Sequence, residues 1–152
     1  MRSAIPATLA ALLLAATVVP VASAARPDEV TITSLMLAQE EGPNLGTFTV
    51  VSGGEQICGA GTVTDLGYVF SRSDHSGRNL QLVVVKEFDC PDGTFLVYMK
   101  VHVDFLTGGE VFQWTIVDGT GAYAGLRGQG NGTTVFPAEG EFFNTYTGQL
   151  HD

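Results

Sequence analysis

The segment TFLVYMKVHVDF, residues 94–105, alternates apolar and mostly polar side chains with a period of two. Successive side chains of a β-strand point to opposite faces, so this pattern predicts one long strand with an apolar face and a polar face. The apolar positions are Phe95, Val97, Met99, Val101, Val103 and Phe105. Beyond the first 24 residues no segment has convincing helical periodicity, which favours an all-β fold.

Several other segments, alternating or rich in β-branched residues, predict further strands separated by glycine-rich turns. One turn is expected between residues 89 and 93, where Pro91 and Gly93 favour a tight reversal. The further predicted strands are residues 46–51, 57–64, 67–71, 79–88, 110–118, 132–136 and 142–150, and residues 29–37 are a candidate for the first strand in a less clear segment. This arrangement indicates an antiparallel meander that either closes into a barrel or stacks as a sandwich.

The positions of the cysteines and of the single tryptophan favour the barrel. An immunoglobulin-type sandwich has a tyrosine two residues before its second cysteine and a tryptophan packed near the cystine. Here position 88 is phenylalanine, and Trp114 follows both Cys58 and Cys90. Closure also removes the exposed sheet edges that promote aggregation. We therefore predict an all-β fold, a single closed antiparallel barrel of eight strands.

Residues 1–24 have the features of a cleaved signal peptide. The positive pair Met1-Arg2 precedes an apolar stretch, residues 5–21, and the small-x-small pattern ASA that signal peptidase recognises. Cleavage after this pattern would leave residues 25–152 as one secreted, extracellular domain. We expect no stable membrane insertion of the cleaved protein, because no further apolar segment approaches the length of a bilayer span.

The charge balance excludes some classes of partner. The full chain has 7 basic and 16 acidic side chains, a net charge of −9, and loss of Arg2 with the signal peptide makes it −10. Nucleic acids and anionic membranes bind to basic patches, so neither is expected as a partner. The negative charge is sufficiently explained by the solubility of a secreted protein.

Two cysteines, Cys58 and Cys90, permit one disulfide in an oxidising compartment. Such a bond closes a loop of about 32 residues and would stabilise the domain by roughly 3–4 kcal/mol. A redox role is disfavoured because the chain has no C-x-x-C motif. Its three scattered histidines lack metal-ligand spacing, so we predict neither a metal site nor another cofactor.

The run GTGAYAGLRGQGNG, residues 119–132, has six glycines in fourteen residues. Its glycine spacing does not match G-x-G-x-x-G, and it lacks the Gly-Lys-Ser/Thr of a phosphate-binding loop. Strand-like sequence on both sides argues against a flexible linker. We predict a turn and bulge between two barrel strands, shaped by Gly119, Gly121 and Gly125, with Tyr123 directed inward or against the rim.

Three patches together resemble the allene oxide cyclase and dirigent-like barrels: IVDGTGAYAGLRGQGNGTTVF, FNTYTGQLHD, and the pair GTFTVV and GTVTDLG. The resemblance is to a small secreted bacterial member of that group, and the glycine-rich patch is its most specific part. It implies an eight-stranded calycin-like barrel, often oligomeric, whose apolar cavity folds a flexible hydrophobic substrate. Plant members cyclise a fatty-acid epoxide or direct the radical coupling of phenols. The family's polar catalytic residues do not match positions in this chain.

Apolar side chains on two predicted neighbouring strands are candidates for lining a ligand cavity. They are Phe95, Val97, Met99, Val101, Phe112, Trp114 and Ile116. The alternative is that they fill the interior completely, since an eight-stranded barrel has room for packed side chains or for one small ligand. These alternatives lead to a barrel that binds a small hydrophobic or aromatic molecule, or to a structural or interaction domain with a filled core.

The polar face of the strand at residues 94–105 provides candidate catalytic residues, Tyr98, Lys100 and His102, with Asp104 beside them. A histidine near a carboxylate can act as a general base. The alternative is an exposed barrel wall with ordinary cross-strand pairs. If these side chains faced the lumen, a cyclase or isomerase that uses the barrel as a template would be favoured.

Overall fold

Eight antiparallel strands pair in chain order, and pairing of the first with the last closes the sheet into a barrel. The computed structural model describes residues 28–73 and 78–151; the predicted signal peptide, residues 1–24, lies outside them. In that part of the chain, no helix is long and apolar enough to cross a bilayer. The strands are β1 (Asp28–Leu37), β2 (Leu45–Ser52), β3 (Ala60–Ser73), β4 (Asn79–Cys90), β5 (Gly93–Asp104), β6 (Gly109–Gly119), β7 (Arg127–Val135) and β8 (Glu141–His151).

The predicted closed eight-stranded antiparallel barrel is therefore confirmed, with one change in how the strands are divided. The prediction of separate strands at residues 57–64 and 67–71 is wrong, because residues 60–64 and 67–71 both belong to β3 and residues 57–59 lie in the loop before it. The pairing register of β3 with β4 shifts between Asp65 and Gly67, which marks a β-bulge. A bulge interrupts the period-two pattern without ending the strand, and that interruption resembles a strand boundary in the sequence.

An aromatic cluster fills much of the barrel interior. Its members are Phe48, Phe88, Phe95, Phe112, Trp114, Tyr123 and Tyr146, all buried. The Phe88 and Phe95 rings stack with centroids 4.9 Å apart, and Tyr146 contacts Phe112 at 5.0 Å. We call the end of the barrel where β1 begins and β8 ends the closed end, and the opposite end the open end. At the closed end, Tyr123 covers Phe95, with ring centroids 5.7 Å apart.

The first half of the glycine run forms the turn at the closed end. Gly119 ends β6, and a short 3-10 turn follows at Gly121–Tyr123. Gly121 has φ +57°, and a Cβ there would lie 2.1 Å from the carbonyl oxygen of Asp92. Gly125 also has positive φ, +99°. A β-branched side chain at either position would be strained, because this conformation favours glycine.

The second half of the run is part of β7, so assigning the whole run to a turn is wrong. Gly128, Gly130 and Gly132 occupy inward-facing positions of β7 and pair with Ile116, Trp114 and Phe112 of β6. The missing side chains leave room for the large neighbouring ones. The Trp114 indole crosses β7, and its Nε1 donates to the carbonyl oxygens of Asn131 and Thr147, at 3.1 and 3.2 Å.

The disulfide between Cys58 and Cys90 is confirmed, with Cα atoms 5.9 Å apart. It ties the loop between β2 and β3 to the last residue of β4. The same loop places Ile57 in the core. The bond thus secures the closed end of the barrel.

We expect Gly132→Ala to destabilise the barrel by about 2 kcal/mol or more, through overpacking. The new Cβ would lie 2.2 Å from ring carbons of Phe112. Gly67→Ala in β3 is the matched control, since its Cβ would meet nothing within 4 Å; its effect should stay within about 1 kcal/mol. Urea denaturation measures both, and equal stability of the two variants would contradict the packing role of the β7 glycines.

Replacing both cysteines by serine should lower the free energy of unfolding by roughly 3–4 kcal/mol. The reason is that the cross-link between residues 32 apart no longer restricts the unfolded chain. Urea denaturation of the oxidised protein and of the double variant gives the difference. Wild-type protein under reducing conditions should match the variant. A variant as stable as the oxidised protein would show that the disulfide does not stabilise the fold.

Candidate functional site

The polar residues singled out on β5 face away from the lumen. Lys100 is exposed, and Tyr98 and His102 are half-buried in the outer wall. The backbone NH of Leu106 donates to Asp104 Oδ1 at 2.9 Å, so this carboxylate caps the turn after β5. The structure does not direct this set toward the barrel interior.

The seven predicted lining residues all point into the lumen and are buried. They divide between two environments. Met99 and Val101 border a cavity at the open end. The other five, Phe95, Val97, Phe112, Trp114 and Ile116, belong to the packed core. The interior is therefore filled toward the closed end and hollow toward the open end.

The cavity at the open end has a volume of about 250 Å³. Strands β3, β4, β5, β6 and β8 contribute to its wall, together with the end of β7 and the residues after it. Its apolar lining consists of Tyr68, Phe70, Leu82, Val84, Met99, Val101, Phe136 and Phe142. Its polar lining consists of Asn44, Asp65, Glu110, Thr134 and Asn144. Such a mixture of apolar walls and a few convergent polar groups is typical of small-molecule sites.

The bulge in β3 directs two aromatic side chains into this cavity. Before the bulge, Asp65 pairs with Lys86 and faces inward. After the bulge, Tyr68 pairs with Val84 and Phe70 pairs with Leu82, which are both inward-facing residues of β4. One extra residue reverses the alternation, so even-numbered instead of odd-numbered residues face inward. Without the bulge, both rings would lie on the outer wall.

A buried ion pair lies at one side of the cavity. Lys86 Nζ donates to Asp65 Oδ1, and Lys86 is only 5% exposed. Asn44 Nδ2 donates to the second oxygen, Asp65 Oδ2, at 3.0 Å. A buried charge is costly unless it is paired and hydrogen-bonded, and these contacts supply both conditions.

A chain of buried hydrogen bonds runs along the inner wall of the barrel, across the neighbouring strands β7, β8 and β1. Thr134 Oγ1 donates to Asn144 Oδ1 at 2.9 Å, and Asn144 Nδ2 donates to Ser34 Oγ at 3.1 Å. Burial raises the pKa of the Tyr146 phenol, while a hydrogen bond with Ser34 partly opposes the shift. The phenol therefore stays protonated, and its hydroxyl lies 3.8 Å from Met99 Sδ. These polar groups satisfy one another inside an otherwise apolar interior.

Glu110 is the acidic group at the other side of the cavity. Burial raises the pKa of its carboxyl above the ordinary value of 4.5, and a hydrogen bond with Thr134 and the charge of Lys86 partly oppose the shift. The Thr134 hydroxyl has a single proton, which it donates to Asn144. A protonated Glu110 can donate to Thr134 Oγ1, so that every hydrogen bond in the chain has its own proton.

The rim of the open end exposes many apolar side chains. Tyr68 and Phe70 are each 62% exposed, and their rings meet edge to face at 5.3 Å. Phe136 and Phe142 form a second such pair at 5.6 Å. The exposed apolar residues near this end are Leu37, Leu45, Leu66, Tyr68, Val69, Phe70, Phe105, Leu106, Val135 and Phe136. Exposed apolar surface of this kind marks interaction and ligand sites.

The polar residues of the cavity were not among those that the sequence predicted. A usable signal exists, because Lys86 and Glu110 occupy the apolar phase of their strands. Lys86 alternates with Val84 and Phe88, and Glu110 precedes Phe112 in the inward set of β6. A charged residue in the apolar phase of a strand indicates a buried charge that needs a partner.

The chain matches no protein-family model. It also has no match among curated proteins. A fold by itself does not determine function, because one barrel architecture serves many activities. The function of this chain is therefore argued from the geometry of its lumen.

Glu110→Gln should stabilise the protein at pH 7 and have little effect near pH 4. A carboxyl whose pKa is raised in the folded state binds more protons folded than unfolded, so its contribution to stability decreases as pH rises above 4.5. Urea denaturation between pH 4 and 7 measures the difference. Glu139→Gln, at an exposed site before β8, is the control and should show no such trend. A pH-independent effect of Glu110→Gln would contradict the burial of this carboxyl.

Proposed function

We propose that this protein is a secreted barrel that binds a small hydrophobic or aromatic molecule at the open end of its lumen. The observation that most supports this function is the 250 Å³ cavity, which is mainly apolar and opens through an aromatic rim. The Cys58–Cys90 disulfide supports export, because such bonds persist in oxidising compartments.

The dimensions of the cavity favour a small ligand. Its volume of about 250 Å³ lies just below the usual range for small-molecule pockets, which begins at about 300 Å³, so one or two rings fill the cavity and a third ring would lie at the rim. Tyr68 and Phe70, exposed at the rim, can cover the part of the ligand that protrudes. The packed aromatic core blocks deeper entry, so the ligand must enter and leave by the open end.

A second candidate function is a cyclase or isomerase reaction in the same cavity. The observation that favours it is Glu110, a carboxyl with a raised pKa beside the apolar lining. A carboxyl with a raised pKa retains its proton to higher pH than a free one and can act as a general acid. The resemblance to allene oxide cyclase and dirigent-like barrels is in keeping with this candidate. Recovery of the bound molecule chemically unchanged after long incubation would favour binding alone.

Leu82→Trp should weaken binding of the neutral fluorescent probe N-phenylnaphthylamine by about tenfold or more, a loss of about 1.4 kcal/mol. Leu82 lines the cavity, and the larger ring would occupy the space that the probe needs. Val83→Trp is the matched control, because Val83 is the next residue of β4 and faces the opposite way. The protein is titrated into the probe, and the probe is excited directly so that the added tryptophan does not contribute to the signal. Circular dichroism verifies that both variants fold. Failure of the wild type to bind, or equal loss in both variants, would overturn the proposal.

A further inference from the structure

We propose that the open-end cavity selects hydrophobic amines, whose ammonium group pairs with Glu110 while the apolar body lies among the rim aromatics. This inference deepens the proposed ligand-binding function and rests on it. The charged side chains among the described lining residues are Asp65 and Glu110, both acidic. The lining thus offers acceptors for a cation and no cationic side chain for an anion.

Lys86, the cation nearest to these carboxylates, does not serve as a ligand partner. It is buried, its Nζ pairs with Asp65, and it is not part of the cavity lining. Asp65 in turn is engaged on both oxygens, by Lys86 and by Asn44. The charge of Asp65 is therefore already paired within the protein.

Glu110 is the carboxylate with capacity for a ligand. The neighbouring Thr134 hydroxyl has one proton, which it donates to Asn144 Oδ1 and not to Glu110. An ionised carboxylate has about four acceptor positions, so most of them remain for an ammonium group. A charge-assisted hydrogen bond to a partly buried carboxylate is stronger than one between neutral groups.

The aromatic rim provides a second reason for a cationic ligand. Tyr68, Phe70, Phe136 and Phe142 line the cavity, and the negative face of an aromatic ring attracts ammonium groups. The net charge of −9 acts in the same direction, because it attracts cations and repels anions during approach. A hydrophobic carboxylate would instead add a negative charge beside two existing ones.

Three naphthalene compounds with similar bodies test the charge preference: naphthylethylamine, naphthylethanol and naphthylacetate. Their affinities are measured at pH 7 by displacement of N-phenylnaphthylamine from the wild type. We expect the amine to bind about tenfold more tightly than the alcohol, and the acid to bind most weakly. Glu110→Gln should reduce the affinity for the amine to about that for the alcohol. Glu139→Gln, a loss of one negative charge at an exposed site, should preserve the order.

The pH dependence gives an independent readout. Lowering the pH from 7 to 4.5 increases the protonated fraction of Glu110, so the affinity for the amine should decrease toward that for the alcohol. Of the described charged groups, Lys86 acts on Glu110 and is paired with Asp65, the other charged residue of the lining, while Asp104 pairs with Gly109 beside Glu110. In Glu110→Gln, amine affinity should be independent of pH over this range.

The outcomes separate this inference from the proposed function on which it rests. If the neutral probe and the alcohol bind in the cavity but the three compounds bind equally, the charge preference is wrong and the ligand-binding function stands. Tightest binding of the acid would also overturn the preference. If none of the compounds binds, the proposed function itself fails.

Discussion

The hydrogen-bonded pairing of β1 with β8 is the constraint on which the rest of the structure depends. It runs in register from Asp28–Leu150 to Leu37–Glu141 and converts an eight-stranded meander into a closed barrel. Closure gives every strand an inside and an outside, so the period-two pattern of each strand becomes a division between lumen and solvent. It also removes the sheet edges. Without this pairing there would be neither a core nor a cavity.

Within the closed barrel, side-chain size decides which part of the lumen is filled. Toward the closed end, large rings on β6 lie against glycine positions on β7, and the Trp114 indole occupies the space above Gly130. Toward the open end no comparable ring fills the centre, and a cavity remains between Leu82, Val101 and Phe142. The packed half stabilises the fold. The hollow half is a preformed site, so binding there requires little loss of conformational entropy from the protein.

The polar groups in the lumen are difficult to explain by stability alone. Replacing a buried ion pair by apolar residues is often neutral or stabilising, so the Asp65–Lys86 pair is weak support for a structural role. Its position beside the cavity agrees better with a site that controls charge. Lys86 neutralises Asp65 and leaves Glu110 as the carboxyl whose charge depends on pH and on a bound ligand. The proposed amine preference follows from this asymmetry.

The sequence by itself determined the all-β class, the barrel, the disulfide between the two cysteines and the inward set on β5 and β6. The all-β class, the inward set and the disulfide follow from local periodicity and from the cysteine count, which need no knowledge of neighbouring strands. The barrel was favoured over a sandwich by the positions of Trp114 and the cysteines. Only the tertiary structure decided where the cavity lies and which polar groups meet in it. Asp65, Lys86, Glu110 and Asn144 come from four strands, and their proximity depends on strand order and register, which local patterns do not encode. The bulge in β3 likewise shows its effect on Tyr68 and Phe70 only against β4, because facing is defined relative to a partner strand. The role of Gly128, Gly130 and Gly132 emerged only when the rings opposite them were placed, since a missing side chain has meaning only beside the neighbour that fills its space.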